Sequence, residues 1–143
     1  MTVADERVQL CAFQVGATSY VVDIMRIDEV LTPRETTPVP DGPAWIQGVL
    51  NLRGALVPVV DVRSRLGAEG APDPRLRPRW LVLCVGRRRI ALSVDGVTEV
   101  VRVRREELEP LESAQTPFVI GRCRSGARTL HLLDVKSLLR KES

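Results

Sequence analysis

The chain has 143 residues, enough for one domain or two very small fused ones that need no disulfide or metal to fold. Its shares of 44% hydrophobic and 27% charged residues are typical of a soluble globular protein, and no apolar run is long enough to cross a membrane. The net charge of +3 is mild, while aromatic residues at only 3% exclude an aromatic-rich core and predict an aliphatic one that favours sheet.

Alternating and β-branched residues in the first half of the chain predict short strands separated by turns. The strands are predicted at 7–15, 19–23, 45–50 and 55–60. Helical or turn segments are predicted at 24–29 and 62–66. A Pro-rich connection at 32–43 contains an extended piece at 35–39, because proline forbids a central strand or a helix there. Asp61 is placed to cap the helix at 62–66, and Gly67 to end it.

The second half follows the same plan. Residues 68–78 hold two Gly or Pro clusters and are typical of a mobile loop. The strands are predicted at 79–85, 89–95, 97–103, 117–123 and 128–133. A short turn of helix is predicted at 106–109, and Asp134 is placed to cap a last helix at 135–140, whose basic end suits the helix dipole.

The two halves of the sequence are related as an internal repeat. A shift of 70 residues pairs Gly16 with Gly86 and Glu29 with Glu99, and a shift of 73 pairs Asp61 with Asp134 and Ser64 with Ser137. Polar coincidences in one order are less easily explained by chance than apolar ones. We interpret the chain as a single domain of two similar halves, at about 8–66 and 79–139, joined by a loop at 67–78, with exchange of strands between the halves left open. Many short strands predict two small barrels with a groove at their junction.

Side chains suited to catalysis are scarce. His131, the single histidine, lies between two leucines, and no Gly-x-Ser-x-Gly elbow accompanies it, so we expect an exposed strand residue. Asp61 and Asp134 are the obvious carboxylate pair, but both precede predicted helices, and capping explains them. The cysteines lie in apolar runs without metal-ligand spacing, which favours a reducing cytosol; they are Cys11, Cys84 and Cys123. We therefore expect no enzyme activity, no catalytic residue, no metal and no cofactor, and the polar N-terminal residues 1–7 predict no signal peptide.

Clusters of arginine raise the alternative of a basic small-barrel module that binds nucleic acid. The clusters are Arg75, Arg77 and Arg79; Arg87, Arg88 and Arg89; and Arg102, Arg104 and Arg105. Small barrels bind single strands through aromatic platforms beside a basic groove, and most aromatic residues here fall on core-facing positions. Nucleic-acid binding is therefore the second hypothesis, and a structural oligomer that uses exposed barrel edges is the third.

The segment at 46–63 is the most informative part of the chain. Two apolar runs flank the turn at 51–54, and alternation around an Asn/Gly turn predicts a β-hairpin. Arg53 lies at this turn near Gly48 and Gly54, which have no side chains to cover the surface around it. It is either an ordinary exposed turn residue or a guanidinium presented to a carboxylate or carbonyl of a partner. Two glutamates without an evident core role, which we expect to form surface salt bridges, are Glu29 and Glu99.

Residues 46–63 resemble the signature of the CheW-like chemotaxis coupling proteins, I-x-G-x-x-N-L-R-G-x-x-h-P-h-h-D-h-R with h apolar, and every fixed position is met. The similarity extends over about 8–139. It implies a mostly β fold of two small five-stranded β-barrel subdomains packed together, with short helices including one at the C-terminus. It also implies a non-enzymatic adaptor, in the cytoplasm at membrane-associated receptor arrays. This adaptor couples the tip of methyl-accepting chemoreceptors to the regulatory domain of a CheA-type histidine kinase.

Positions in the motif imply which residues meet each partner. The receptor-binding residues would be Ile27, Glu29, Gly48, Arg53, Gly54, Val97 and Val100. The kinase-binding residues would be Thr36, Thr37 and Val39. The receptor tip, a helical hairpin, would lie in the groove between the barrels. Other CheW-like domains are further candidate partners, and neither nucleic acid nor membrane insertion is expected.

The chain departs from the family pattern at two places. The loop at 67–79 is rich in proline and arginine. Glu109 stands where close relatives carry a basic residue used in ring assembly.

Overall fold

The structure is a computed structural model that describes residues 7–111 and 117–140; the N-terminal stretch 1–6, predicted to hold no signal peptide, lies outside it. The strands are β1 (Arg7–Val15), β2 (Thr18–Asp23), β3 (Ile27–Leu31), β4 (Ile46–Leu52), β5 (Ala55–Asp61), β6 (Arg79–Val85), β7 (Arg88–Val94), β8 (Gly96–Arg104), β9 (Glu109–Pro110), β10 (Val119–Ser125) and β11 (Arg128–Leu133). The helices are α1 (Val62–Leu66) and α2 (Val135–Leu138), and 3-10 turns lie at Ile24–Arg26 and Arg105–Glu107. Across the described ranges no helix has the length and apolar character needed to span a bilayer.

The strands form two sheets, which confirms the predicted mostly β fold. One sheet has six strands in the order β8-β1-β2-β11-β10-β9, and the other has five in the order β3-β6-β7-β5-β4. Neighbouring strands are antiparallel except for β2 with β11 and β5 with β7, which are parallel. The sixth strand, β9, is a two-residue edge that the sequence analysis missed.

The internal repeat maps one sheet onto the other. In repeat order, β3, β6, β7, β5 and β4 correspond to β8, β1, β2, β11 and β10, so both sheets have the same strand order. The strands β1 and β2 of the first half pair with strands of the second half, and β6 and β7 do the reverse. Each sheet is therefore completed by two strands from the other half.

Three apolar clusters fill the fold. The first, on one face of the five-stranded sheet, consists of Leu31, Leu50, Leu52, Val57, Val59, Trp80, Val82 and Ala91. The second, on one face of the six-stranded sheet, is centred on Leu10, Ala12, Val21, Val101, Val103, Cys123 and Leu130. The third and largest joins the sheets to each other and to both helices. Along β6, Trp80 and Val82 belong to the first cluster and Leu81 and Leu83 to the third, so both faces of this strand are buried. The space between the sheets is thus filled by the chain itself, so a groove at the junction does not extend between the sheets.

A buried arginine crosses this junction. Arg65 of α1 is only 7% exposed; its Nε donates to the Leu138 carbonyl at 2.9 Å and its Nη2 to the Arg140 carbonyl at 2.6 Å. Its guanidinium carbon lies 4.1 Å from the ring centre of Trp45 and 4.6 Å from that of Phe118. The side chain therefore satisfies carbonyls at the end of α2 while two aromatic rings bracket its charge.

The predicted hairpin at 46–60 and the cap of α1 are confirmed. Asp61 accepts a hydrogen bond from the Ser64 amide at 3.4 Å, and Gly67 ends the helix with a φ of 64°. The equivalent cap in α2 is different: Asp134 makes no side-chain bond to a helix amide and accepts the Ser137 hydroxyl instead. Asp134 therefore occupies the predicted N-cap position, but its side chain does not cap a helix amide.

The segment predicted as helical at 24–29 is helical only over Ile24–Arg26. Residues Ile27–Leu31 form β3, because Ile27 pairs with Leu83 of β6 and Leu31 with Trp80. A sheet partner contributed by the other half overrides the local preference here.

The loop at 67–78 carries no strand or helix and is tied to its surroundings. The Ala17 amide donates to the Glu69 carbonyl at 2.9 Å. Arg63 of α1 pairs with Asp95 at 2.9 Å, and Asp95 accepts the Gly16 amide at 2.7 Å. A side chain at Gly16 would collide with the Glu69 carbonyl, so the loop and the β1–β2 turn fit only with glycine there.

We predict that Arg65→Ala lowers the free energy of unfolding by about 3 kcal/mol, because it leaves buried carbonyls without their donor. Urea denaturation followed by circular dichroism measures the change. Arg102→Ala, at an exposed position of β8, is the matched control, and its effect should stay within about 0.5 kcal/mol. Equal stability losses for the two variants would contradict the structural role of Arg65.

Candidate functional site

The β4–β5 hairpin carries an arginine where the other hairpins carry glycine. Four hairpins in the described part have two-residue turns. In three of them the first turn residue is a glycine with φ near 60°: Gly16, Gly86 and Gly126. In the fourth it is Arg53, with a φ of 52°. A side chain in this left-handed region costs conformational energy, so an arginine held there points to a use for its guanidinium.

The turn around Arg53 is fixed by its neighbours. Leu52 pairs with Ala55, and Gly54 follows with a φ of 86°, as a type I′ turn requires. The Gly54 amide donates to Asn51 Oδ1 at 3.0 Å. The signature residues therefore set the backbone that presents Arg53 outward.

Arg53 forms a two-pronged ion pair with Glu29. Its Nη1 donates to Glu29 Oε2 at 2.7 Å and its Nη2 to Oε1 at 3.3 Å. The Arg53 side chain remains 69% exposed and that of Glu29 23% exposed, so a partner can still reach the guanidinium. The hydrogen bond from Arg53 lowers the pKa of the Glu29 carboxyl, and the same bond raises the pKa of Arg53. The site is thus an exposed but paired charge.

This ion pair also closes the five-stranded sheet. Glu29 lies on β3 and Arg53 at the end of β4, and these strands are the two edges of the sheet. In the six-stranded sheet, Arg128 of β11 pairs with Glu99 of β8 at 3.2 Å, which joins that edge to the β10–β11 hairpin. The surface salt bridges predicted for Glu29 and Glu99 are confirmed, and each sheet is drawn toward a barrel.

The remaining predicted receptor residues are spread over both sheets. Ile27 of β3 and Val97 of β8 are half-buried and pack on the cluster between the sheets. Val100 is 53% exposed on β8. The structure therefore brings Glu29, Arg53 and Gly54 together, while Val97 and Val100 lie on the other sheet.

The predicted kinase residues lie along the outer edge of β4. Thr37 exchanges two backbone hydrogen bonds with Val49, at 3.0 and 2.8 Å, so the extended piece at 35–39 covers this edge. Thr36 packs on Gly48, where a Cβ would overlap its hydroxyl. Val39 is 40% exposed at the end of the segment. Gly48 thus belongs with this segment, and it allows the segment to approach β4 closely.

Two pairings escaped the sequence analysis. The contact between Glu29 and Arg53 joins strands at opposite edges of a sheet, so spacing along the chain could not reveal it. Glu109, one of the departures from the family pattern, pairs with Arg122 at 3.0 Å. The repeat gave no signal for the first pairing, because Arg53 corresponds to Gly126 and Arg128, the partner of Glu99, corresponds to Ala55.

The described residues offer little chemistry. His131 is half-buried, with Nδ1 3.3 Å from the Ser19 carbonyl, so it is less exposed than predicted. Burial raises the pKa of the Cys11 and Cys123 thiols, which makes them poor nucleophiles. In the ranges 7–111 and 117–140 no three His, Cys, Asp or Glu residues come together to hold a metal.

The aromatic residues do not form a stacking surface. Phe13, Tyr20 and Trp80 are buried, and the half-buried Trp45 and Phe118 bracket Arg65. Single-strand binding by small barrels depends on exposed rings beside basic side chains. The nucleic-acid alternative is therefore not favoured.

Comparison with known proteins gives a consistent result. The CheW-like domain family matches residues 9–143. The chemotaxis protein CheW of Rhizobium meliloti is 36% identical over 110 residues, which cover 77% of this chain and 70% of that protein. The chemotaxis protein CheW of Klebsiella aerogenes is 31% identical over 134 residues, covering 91% and 80% of the two chains. The crystal structure of the scaffolding protein TtCheW from Thermoanaerobacter tengcongensis superposes with a TM-score of 0.86 at 25% identity, over 94% of this chain and 89% of that one.

We predict that Arg53→Met raises the pKa of the Glu29 carboxyl to the usual range of a glutamate. The pair stabilises the fold at pH values above the ordinary pKa of a glutamate. This contribution to the free energy of unfolding is lost as the pH falls through the lowered pKa of Glu29. Carboxyl-detected NMR titration measures the value directly. Arg102→Met, on the other sheet, should leave it unchanged. A Glu29 pKa that is the same with and without Arg53 would show that the pair does not form in solution.

Proposed function

Because the chain belongs to the CheW-like domain family, we propose that it links chemoreceptor tips to a CheA-type histidine kinase through two separate surfaces. The receptor surface takes residues from both halves, and the kinase surface lies in the first half. At the level of the family, the chain is a coupling adaptor of chemotaxis, a scaffold without enzyme activity whose partners are components of a chemosensory array.

The receptor surface is centred on Arg53 in this proposal. The observation that supports it most is the positive φ of Arg53 at a turn where the other hairpins use glycine. The exposed guanidinium can donate to a carboxylate or carbonyl of a helical partner while Glu29 keeps it oriented. Ile27, Val97 and Val100 add aliphatic contacts, and Gly54 leaves room for a helix backbone.

The closed junction alters how a helical hairpin would dock. The cluster between the sheets leaves no space for a pair of helices inside it. Ile27 and Val97 reach the surface over that cluster from the two sheets. The helices would therefore lie along the surface of the junction, with Arg53 as a polar contact at one side.

The kinase surface is formed in this proposal by the segment at 35–39. Its pairing with β4 fixes the backbone, so that Val39 is presented without a large loss of conformational entropy. Thr36 and Thr37 supply hydroxyl groups beside it. Gly48 lies against Thr36 of this segment, so a substitution of Gly48 would displace the segment and would affect receptor binding only indirectly.

We predict that Arg53→Gly preserves or raises the melting temperature and weakens binding to a chemoreceptor hairpin fragment at least tenfold. Glycine relieves the left-handed backbone, and the exposed ion pair that is lost contributes little to stability. Isothermal titration with the fragment and thermal unfolding of the same preparation measure both effects. A stable Arg53→Gly variant that binds the fragment normally would contradict the proposed receptor surface.

A charge swap separates a direct contact from an orienting one. The double variant Glu29→Arg/Arg53→Glu restores an ion pair of reversed direction. If Arg53 contacts the receptor, the double variant stays folded and still fails to bind the hairpin fragment. Full recovery of binding would mean that the pair only fixes the geometry of the hairpin.

We predict that Val39→Glu weakens binding to the kinase regulatory domain at least tenfold and leaves receptor binding within twofold. A charge placed on an apolar contact must be desolvated when the partner covers it. Surface plasmon resonance with each partner measures both affinities. Met25→Glu, at an 87% exposed position, is the matched control and should change neither. Equal loss with both partners would indicate damage to the fold rather than to a contact.

A further inference from the structure

A surface groove opens where β5 and β7 separate. The parallel ladder between them runs from Val59 with Ala91 onward. Val49 turns both of its backbone groups toward Thr37, so the facing residue Pro58 turns its backbone toward β7, where it has no amide hydrogen to donate. The β5–β7 ladder therefore does not extend to the residues before Val59 and Ala91. A groove of about 720 Å³ lies there, lined by residues 55–58 of β5 and 87–90 at the start of β7.

The floor of the groove is aliphatic. Leu56, two residues before Pro58 on β5, is 74% exposed. Ile90 and Leu139 line the groove and also pack in the cluster between the sheets. Ile90 is fully buried, so the accessible apolar surface of the groove comes from Leu56, Pro58 and Leu139 above it. Exposed apolar surface in a concave site of this kind marks an interaction site.

The rim of the groove is basic. Arg87, Arg88 and Arg89 line it at the β6–β7 turn, and no carboxylate lines it. Arg89 pairs with Asp28 at 3.2 Å. Arg87 and Arg88 are exposed and have no ion pair with any residue of the described ranges. Two uncompensated cations thus face an apolar floor, which creates a local positive potential.

We propose that this groove binds an acidic peptide segment of a partner protein, with aliphatic side chains seated against Leu56 and Leu139 and carboxylates paired to Arg87 and Arg88. Charge complementarity selects an anionic occupant, and the concave apolar floor selects one with aliphatic side chains. A nucleic-acid strand would leave that floor unfilled, since no aromatic residue lines the groove for stacking. None of the groove residues belongs to the proposed receptor or kinase surface, so this is a third contact of the adaptor.

The test is a titration of the isotope-labelled full chain with a short synthetic peptide in which glutamates flank two leucines, followed by amide NMR. We expect shifts concentrated at Leu56, Arg88, Ile90 and Leu139. Binding should weaken at least fivefold in Arg87→Glu/Arg88→Glu and in Leu56→Ser, which is the size expected for two exposed ion pairs or one apolar contact. The double reversal Arg102→Glu/Arg124→Glu, at exposed positions of the other sheet, should change the affinity less than twofold.

Three outcomes would overturn the proposal. If a peptide of glutamates without leucine binds equally well, binding depends on electrostatic attraction alone and the apolar floor plays no part. Equal weakening by the control reversal would reduce the site to non-specific attraction. Tighter binding of single-stranded DNA or of vesicles containing an anionic lipid, lost in Arg87→Glu/Arg88→Glu, would assign the groove to a different partner. Binding of the receptor hairpin fragment and of the kinase regulatory domain should remain unchanged in these variants, so failure here is separable from failure of the proposed adaptor surfaces.

Discussion

The contact between Arg65 and the end of α2 lies where the two halves of the molecule meet, and the rest of the fold is arranged around it. Trp45 and Phe118, which bracket the guanidinium, occupy equivalent places in the repeat. Each of them also accepts a backbone hydrogen bond from the aspartate that precedes the next helix, at 2.8 Å in both halves. A buried cation is tolerated only when its donors are satisfied, so this geometry fixes how the two halves are set against each other.

A filled junction has a direct consequence for binding. Since the largest core cluster occupies the space between the sheets, partners must bind on the outer surface, at the hairpins, the sheet edges or the outside of the junction. Backbone pairing holds the hairpins at those edges, and the ion pairs of Arg53 with Glu29 and of Arg128 with Glu99 orient the side chains there. The proposed receptor surface is therefore carried by a rigid frame, which lowers the entropy lost when a helical partner binds.

Local sequence signals predicted local structure well. Turn residues placed the hairpins, Asp61 and Gly67 bounded α1, and the repeat identified equivalent elements in the two halves. Two features of the fold could not be predicted from the sequence, because each depends on contacts with residues far away along the chain. Ile27–Leu31 became a strand because β6 lies beside it, and Arg65 is buried because α2 and two rings surround it. The candidate site shows the same division: the hairpin that presents Arg53 was predictable, whereas its pairing with Glu29 was not.

The exchange of strands between the halves bears on how such a chain arose. A single repeat would lack the strand neighbours that β1 and β2, or β6 and β7, find in the other half. Its edges would be satisfied only by a second identical copy, with each subunit lending two strands to the other. The present protein then corresponds to an intertwined homodimer whose subunits were fused by tandem duplication. After the fusion the two copies could diverge, so that the first half has Arg53 at the turn position where the second half has Gly126.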